Sequence, residues 1–367
     1  MRILLLSPFH GGSHGAWAAG LSAHSAHEFL TLTLPDSHWH WRMLGGAADL
    51  AEKALALPGE YKPDLILATS MLDLATFSAL TRRRFAGVAQ VLYMHENQLT
   101  YPVTAKGSRS HAAGMTQWKA MLCADHVFFN SVYHRDSLFA ALPDFVSAAP
   151  DFDHARFVCD VRAKSSVLHV GVDVDISPGL SENDGPPLIL WNQRWRHDKN
   201  PEAMLHALAE LHERSLGETD FDFRVAICGG RPNPRIPLFE EVRALLGPKV
   251  VHFGWASETE YAALVRRADI VLSTARHEFF GIAVMEALRG GAMGVLPNRL
   301  AYPELLEPQS ASRQLYDSAS GRMELLAQAV RSGGFTAAER QSIAPYYSRY
   351  DWSVLASEYD ARLSELA

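Results

Sequence analysis

Arg276-His277-Glu278-Phe279-Phe280-Gly281-Ile282-Ala283-Val284-Met285-Glu286-Ala287-Leu288 is the stretch that decides the fold. The apolar run before it, residues 270–272, reads as a buried strand, and the segment itself opens a helix that stops at Gly290-Gly291, as helices tend to. The pattern is strand, polar loop, helix start. A helix start presents unpaired backbone N–H groups and the positive end of the helix dipole, which together suit a phosphate. Here those groups come from Phe280, Gly281 and Ile282. Glu278 stands just before that start and Glu286 lies inside the helix. A carboxylate repels phosphate but accepts hydrogen bonds from hydroxyls, so the pair points to a ligand with both groups, as a nucleotide sugar has. Taken alone, the spacing equally suits a solvated glutamate beside a chance second one.

Outward from this stretch, short apolar runs alternate with helical patterns along the chain. The first series of strands is expected at 3–7, 29–34, 64–68, 88–94, 127–130 and 166–170, with helices at 45–57 and 71–82 between them. After Pro186-Pro187 the alternation restarts at 188–192, 223–228, 250–253, 270–273 and 294–297. Such alternation implies parallel sheets covered by helices on both faces, and 367 residues are more than one core usually serves. The Gly-, Pro-, Asp- and Ser-rich stretch 171–187 is the expected boundary. The expectation is therefore α/β, with two Rossmann-like domains, residues 1–172 and 173–345, facing a cleft, and a helix at 346–367 crossing back.

In such sheets ligands bind beyond the carboxyl ends of the strands, and the chemically unusual residues fall there. His10-Gly11-Gly12-Ser13-His14 lets backbone approach a ligand, with Gly12 on the donor side and His14 on the acceptor side, although a tight turn needs the same glycines. Trp39 and Trp41, in a loop with two imidazoles, offer a stacking platform, or they cap the core edge. His95-Glu96-Asn97-Gln98, with Tyr101, puts four consecutive polar groups at a strand end. His95 is expected to donate to the reacting sugar, its pKa near neutral, while Glu96 and Asn97 orient an acceptor hydroxyl.

Charge and composition narrow the classes. The net charge of −7 leaves a nucleic-acid partner to local patches such as Arg82–Arg84, Lys106, Arg109, Lys119 and Arg135, although arginines at a helix end are often only solvated. Three widely spaced cysteines suit a reducing, cytoplasmic setting. The apolar run 2–8 is short for a signal peptide, and no run of eighteen apolar residues exists to span a membrane. Asp-x-Asp occurs at 151–153, 173–175 and 220–222, but in a Pro-flanked connection, a linker and a strand approach, so no divalent metal and no other cofactor is expected.

The Glu-x7-Glu of 278–286 resembles the signature of retaining GT-B glycosyltransferases related to sucrose synthase. That resemblance implies that Glu278 meets the donor sugar, that Glu286 meets the nucleotide ribose, and that a histidine, here His95, approaches the sugar. It also implies that the Arg-x4-Lys pair Arg194 and Lys199 holds the donor diphosphate, where fixed cations stabilise charge growing on a leaving group. A narrower likeness covers the chain to about residue 304. It rests on Gly-Gly-Ser-His at 11–14, Trp-His-Trp-Arg at 39–42, His-Glu-Asn-Gln-Leu at 95–99 with Tyr101-Pro102, Phe-Asn-Ser at 129–131, Arg-Trp-x-His-Asp-Lys at 194–199, His-Glu-Phe-Phe-Gly at 277–281 and Tyr-Pro-Glu at 302–304. This set resembles the tRNA-queuosine α-mannosyltransferase family. The resemblance implies GDP-mannose as donor substrate and queuosine at the wobble position of tRNA as acceptor. The stretches 146–162 and 179–187 match nothing in that pattern, which leaves acceptor choice open. Two rival readings stay open: a GT-B enzyme with a lipid or small-molecule acceptor, and a non-catalytic tRNA- or nucleotide-sugar-binding protein.

Overall fold

The computed structural model describes residues 1–102, 110–148, 154–173, 185–230 and 237–367. Lys106, Arg109, the Asp151-Phe152-Asp153 run, Asp175, Arg231 and most of the 179–187 stretch lie outside the described residues. The chain divides into two compact units, Met1–Gly171 with Trp352–Ala367, and Val172–Asp351.

The first unit runs β1 (Arg2–His10), α1 (Gly12–His24), β2 (Glu28–Pro35), α2 (Trp39–Leu55), β3 (Leu65–Thr69), α3 (Leu74–Thr81), β4 (Ala89–Met94), α4 (His111–Cys123), β5 (His126–Phe129), α5 (Val132–Val146), α6 (Val158–Ala163) and β6 (Ser165–Val167). Its described strands form one sheet in the order β2-β1-β3-β4-β5-β6, every pair parallel. The central strands read as unbroken apolar runs because both faces are covered: Ile3 to Leu6 and Val91 to Met94 are fully buried.

The second unit runs β7 (Leu188–Trp191), α7 (Pro201–Gly217), β8 (Arg224–Cys228), α8 (Leu238–Leu246), β9 (Val250–Gly254), α9 (Glu258–Arg267), β10 (Ile270–Leu272), α10 (Ile282–Arg289), β11 (Met293–Pro297), α11 (Tyr302–Leu305), β12 (Leu315–Tyr316), α12 (Ala319–Ser332) and α13 (Ala337–Ser348). Its strand order is β12-β11-β10-β7-β8-β9, again parallel throughout. Each sheet therefore reverses its order once, between β1 and β3 in the first unit and between β7 and β10 in the second. Ligands bind at such reversals, outside the carboxyl ends of the strands.

The last helix, α14 (Trp352–Ser364), belongs to the first unit. Trp352, Leu355, Tyr359 and Leu363, at helical spacing, are all buried. The Trp352 indole fits where two glycines leave room: a Cβ on Gly20 would lie 2.1 Å from it and one on Gly171 2.3 Å. The Tyr359 hydroxyl donates to His169 O at 2.7 Å and accepts the Trp17 indole N–H at 3.0 Å. Beside it, the Tyr93 hydroxyl donates to Leu168 O at 2.9 Å.

Two expectations need correction. Trp39 and Trp41 are not in a loop but in the first turn of α2, which starts earlier than the apolar periodicity suggests because His38 takes the left-handed conformation (φ 53°) that turns the chain into the helix. Arg82–Arg84 follow α3 and precede β4, so they lie at the amino ends of the strands, away from the loops that carry the chemistry. Arg84 is also committed, donating to Leu57 O at 3.1 Å and Pro58 O at 2.5 Å.

Candidate functional site

In the second unit the reversal between β7 and β10 gathers the motif residues. The loop after β7 carries Asn192 to Asn200, and the loop after β10 carries Ser273 to Gly281. They are stitched by backbone: Arg276 and His277 both donate N–H to Asp198 O, at 2.8 and 3.1 Å. The Thr274 hydroxyl is within 3.0 Å of Lys199 O and 2.9 Å of Asn200 O. Lys199 is buried, and its Nζ donates to Glu278 Oε2 at 2.7 Å and His277 O at 3.0 Å, with Asp198 Oδ2 at 3.4 Å. One buried cation thus stands between two carboxylates, and the exposed Arg196 guanidinium lies 3.7 Å from Asp198, so two positive and two negative groups balance at this loop. Arg194, by contrast, is exposed, and among the described residues its guanidinium has no hydrogen bond or ion pair. His277 is held neutral at physiological pH, its pKa lowered to about 4 by burial first and by the Lys199 charge second.

Gly281 caps α10 in the left-handed region (φ 98°), and a Cβ there would lie 3.3 Å from Glu278 Cγ. Glycine therefore turns the chain sharply enough to bring Glu278 against the helix start. Ile282 begins the helix, while the Phe280 ring turns away into the core, edge-on to Tyr350 at 6.0 Å, so Phe280 offers the site backbone only. Tyr302 sits beneath Gly281 and shares a 2.7 Å hydrogen bond with Ser273.

Glu286, one turn into α10, accepts a short hydrogen bond from the Tyr261 hydroxyl of α9. Burial pushes its pKa up to about 7, and the Tyr261 hydrogen bond works against that rise. Asn192 donates to Tyr261 Oη at 2.9 Å and to Ala283 O at 2.6 Å. Tyr261 is a residue that sequence reasoning missed. On an amphipathic helix a lone tyrosine looks like any half-buried aromatic. On the far side of β7, Trp255 follows β9 and is 76 % exposed.

In the first unit His95 follows β4 and sits in an aromatic box, its ring centroid 4.4 Å from His14, 4.7 Å from Trp17 and 4.8 Å from Tyr93. Burial, then the His14 and His134 imidazoles, hold its pKa well below the usual histidine value, so it is neutral at physiological pH rather than poised near it. Its Nε2 is buried and meets no hydrogen-bond partner among the described residues. Asn130 donates to His95 O at 2.9 Å, and the His134 and Asn130 side chains share a 2.8 Å hydrogen bond.

The rest of this polar run is spent differently from expectation. Asn97 is fully buried, and its Oδ1 accepts from Leu99 N, Thr100 N and Thr100 Oγ1 at 3.1, 2.8 and 3.0 Å. That is an Asx-type turn that shapes the loop, while Asn97 Nδ2 is buried and meets no hydrogen-bond partner among the described residues. Gln98 donates to Glu96 Oε1 at 2.9 Å. Gln117 of α4, also missed from sequence, bolts the loop down by donating to Ser70 O and Glu96 O and accepting from Gln98 N. Tyr101 is half-buried at the edge of the undescribed segment 103–109. Gly12 opens α1 with φ 49° and nothing within 4 Å of where a Cβ would lie, so its backbone is open to approach. His14 is buried against His95, Trp41 is 75 % exposed and Trp39 39 %. Among the described residues no group of three or more His, Cys, Asp or Glu side chains is placed to hold a metal, and no helix is long and apolar enough to cross a membrane. Asp222 of the third Asp-x-Asp is ion-paired with Lys249.

The family model described as tRNA-queuosine alpha-mannosyltransferase N-terminal matches residues 2–172, and that described as Glycosyl transferases group 1 matches residues 175–332. The chain is 35 % identical over 318 residues to a Drosophila melanogaster protein named tRNA-queuosine alpha-mannosyltransferase, covering 83 % of this chain and 81 % of that one. The chain belongs to the tRNA-queuosine alpha-mannosyltransferase family. It is a glycosyltransferase. A Xanthomonas oryzae protein named GDP-mannose:cellobiosyl-diphosphopolyprenol alpha-mannosyltransferase is 26 % identical over 53 % of this chain and 50 % of its own. Among solved structures, sucrose-phosphate synthase from Thermosynechococcus elongatus superposes with a TM-score of 0.70 at 14 % identity, covering 100 % of this chain and 99 % of its own. An Anabaena protein crystallised with UDP gives 0.68 at 17 %, covering 100 % of both chains. At such identities these structures establish the fold alone, and it is GT-B.

Proposed function

We propose that this chain moves mannose from GDP-mannose onto queuosine in tRNA, with the anomeric configuration retained. The observation that carries the reading is the match to the Drosophila enzyme, which at 318 residues is longer than either unit. The named donor of the Xanthomonas relative supports GDP-mannose.

On this reading the helix start at Gly281 and Ile282 and the guanidinium of Arg194 receive the diphosphate, with Lys199 beside them. Glu278, anchored by Lys199, accepts from sugar hydroxyls, and Glu286 accepts from the ribose. His95, neutral, donates through Nε2 to an oxygen of the sugar. Attack is on the face from which GDP departs. The bond from the anomeric carbon to the phosphate oxygen breaks, the bond to the queuosine oxygen forms, and the hydroxyl proton passes to the departing phosphate. No protein nucleophile and no divalent metal takes part. Positive groups matter most as charge grows on the leaving diphosphate. Trp39 and Trp41, exposed at the start of α2, stack on unpaired anticodon-loop bases.

Incubation with GDP-mannose and tRNA bearing or lacking queuosine, followed by mass spectrometry of the digested nucleosides, tests the reading. A hexose mass added only to queuosine is expected. A second reading, a lipid-linked acceptor, is favoured by the Xanthomonas relative's name. Mannose found on a polyprenol-linked sugar and not on tRNA would replace the first reading with it.

A further inference from the structure

The second unit contains a polar chain that neither the family motifs nor the sequence spacing singles out. Asn192 at the end of β7, Tyr261 on α9 and Glu286 on α10 come from three separate elements and meet in a line. The direction of that line is fixed. Asn192 faces Ala283 O at 2.6 Å, and a carbonyl only accepts, so the atom facing it is the amide nitrogen. The same nitrogen faces Tyr261 Oη at 2.9 Å, so the phenol oxygen accepts there and its single hydrogen is left for Glu286 Oε2. Among the described residues Glu286 accepts from no other side chain. One carboxylate oxygen is therefore held, and the other oxygen is kept as an acceptor for a hydroxyl. The groups facing Tyr261 keep its hydroxyl hydrogen in place. Burial and the Glu286 charge hold the Tyr261 phenol protonated, and the Cys228 thiol beside it is pushed up to about 12 by burial.

We propose that Tyr261 is a positioning residue for the nucleotide ribose: backed by Asn192, it aims the free oxygen of Glu286 at a ribose hydroxyl and so makes the site select ribonucleotide over deoxyribonucleotide donors. This rests on the reading that Glu286 meets the ribose. A hydroxyl must be present to give that oxygen a hydrogen; a deoxy ligand leaves a buried carboxylate oxygen without a partner, which is penalised more than a missing contact at a surface. Aim and selection are thus one property, and Tyr261 acts only through Glu286.

Titration calorimetry with GDP, 2′-deoxy-GDP and 3′-deoxy-GDP tests it on the wild-type protein, Tyr261→Phe and Asn192→Ala. Wild type is expected to bind GDP about tenfold tighter than at least one deoxy analogue. Tyr261→Phe is expected to lose most of that preference by weakening GDP while leaving the deoxy analogue within about twofold, and Asn192→Ala to lose part of it. The phenol hydrogen bond opposes the rise in the Glu286 pKa, so in Tyr261→Phe the fall of GDP affinity with falling pH is expected to begin at a higher pH than in wild type. A purely packing role for the ring would leave that pH limb in place. Should wild type not bind GDP, or not distinguish it from either analogue, the ribose reading of Glu286 falls and the inference with it. If wild type discriminates and both variants keep the full preference and the same pH limb, the ribose reading stands and the role of Tyr261 is overturned.

Discussion

In the loop after β4 of the first unit, the polar run Glu96-Asn97-Gln98 turns its hydrogen bonds back on its own loop, with Gln117 as the bolt. At the β7/β10 edge of the second, Lys199 is brought from 79 residues away to the loop and helix start that carry Glu278 and Glu286. Both stretches look equally polar in the sequence. The difference is one of separation. Neighbours in a loop can satisfy one another locally, and asparagine does so readily, whereas charged residues eighty positions apart are brought together only by the fold. Long-range convergence of charge is therefore the stronger sign of a ligand site.

The sharpest way to break this comparison is Lys199→Ala. If Lys199 is the centre of the converged cluster, kcat/KM for the donor should fall by about 10²–10³, with KM raised and kcat lowered; unchanged donor kinetics would reduce the cluster to a structural ion pair. Asn97→Ala asks the opposite question of the first unit. Losing three hydrogen bonds at a buried carbonyl should cost about 1–3 kcal/mol in denaturant unfolding, while acceptor KM in the folded fraction stays within about twofold. A raised acceptor KM with intact stability would restore the acceptor role that the sequence suggested. Trp41→Ala sharpens the contrast at the exposed end of α2: stability should hold within about 0.5 kcal/mol, and tRNA affinity should drop about tenfold if a base stacks there, as filter binding would read.

The smallest effect concerns pH. The Glu286 pKa is raised by burial to about 7, so its charged form is the one the fold disfavours. Its contribution to stability is present at low pH and is lost as pH rises through 7. Glu286→Gln should therefore raise the melting temperature by about a few degrees at pH 8 and by much less at low pH, below the usual carboxylate range, even as donor affinity falls. Equal melting temperatures at both pH values would remove the case for a strained carboxylate.

Much of the fold was legible because buried parallel strands leave apolar runs that no other structure needs, as at Ile3–Leu6 and Ile270–Leu272. The two-residue strand β12 carries too little pattern to register, and the start of α2 was displaced because aromatic residues at 39 and 41 hide a helix that leaves them exposed. In the site, Glu278, Glu286 and Lys199 could be marked from spacing and resemblance. What could not be read was whether a polar side chain faces the ligand or its own loop, as with Asn97, or which aromatic carries a functional hydroxyl, as with Tyr261. Both depend on partners contributed by other elements, Gln117 in one case and Asn192 in the other.

The return of α14 to the first unit has a consequence for biosynthesis. The second unit is a continuous segment, Val172–Asp351, whereas the first needs Trp352 seated between Gly20 and Gly171 to close its packing. During translation the first unit emerges first yet cannot be finished until the helix at 352–364 has left the ribosome. The first unit to begin is thus not the first to have all its residues, and a chain cut after Asp351 would hold every residue of the second unit and lack the helix that closes the first.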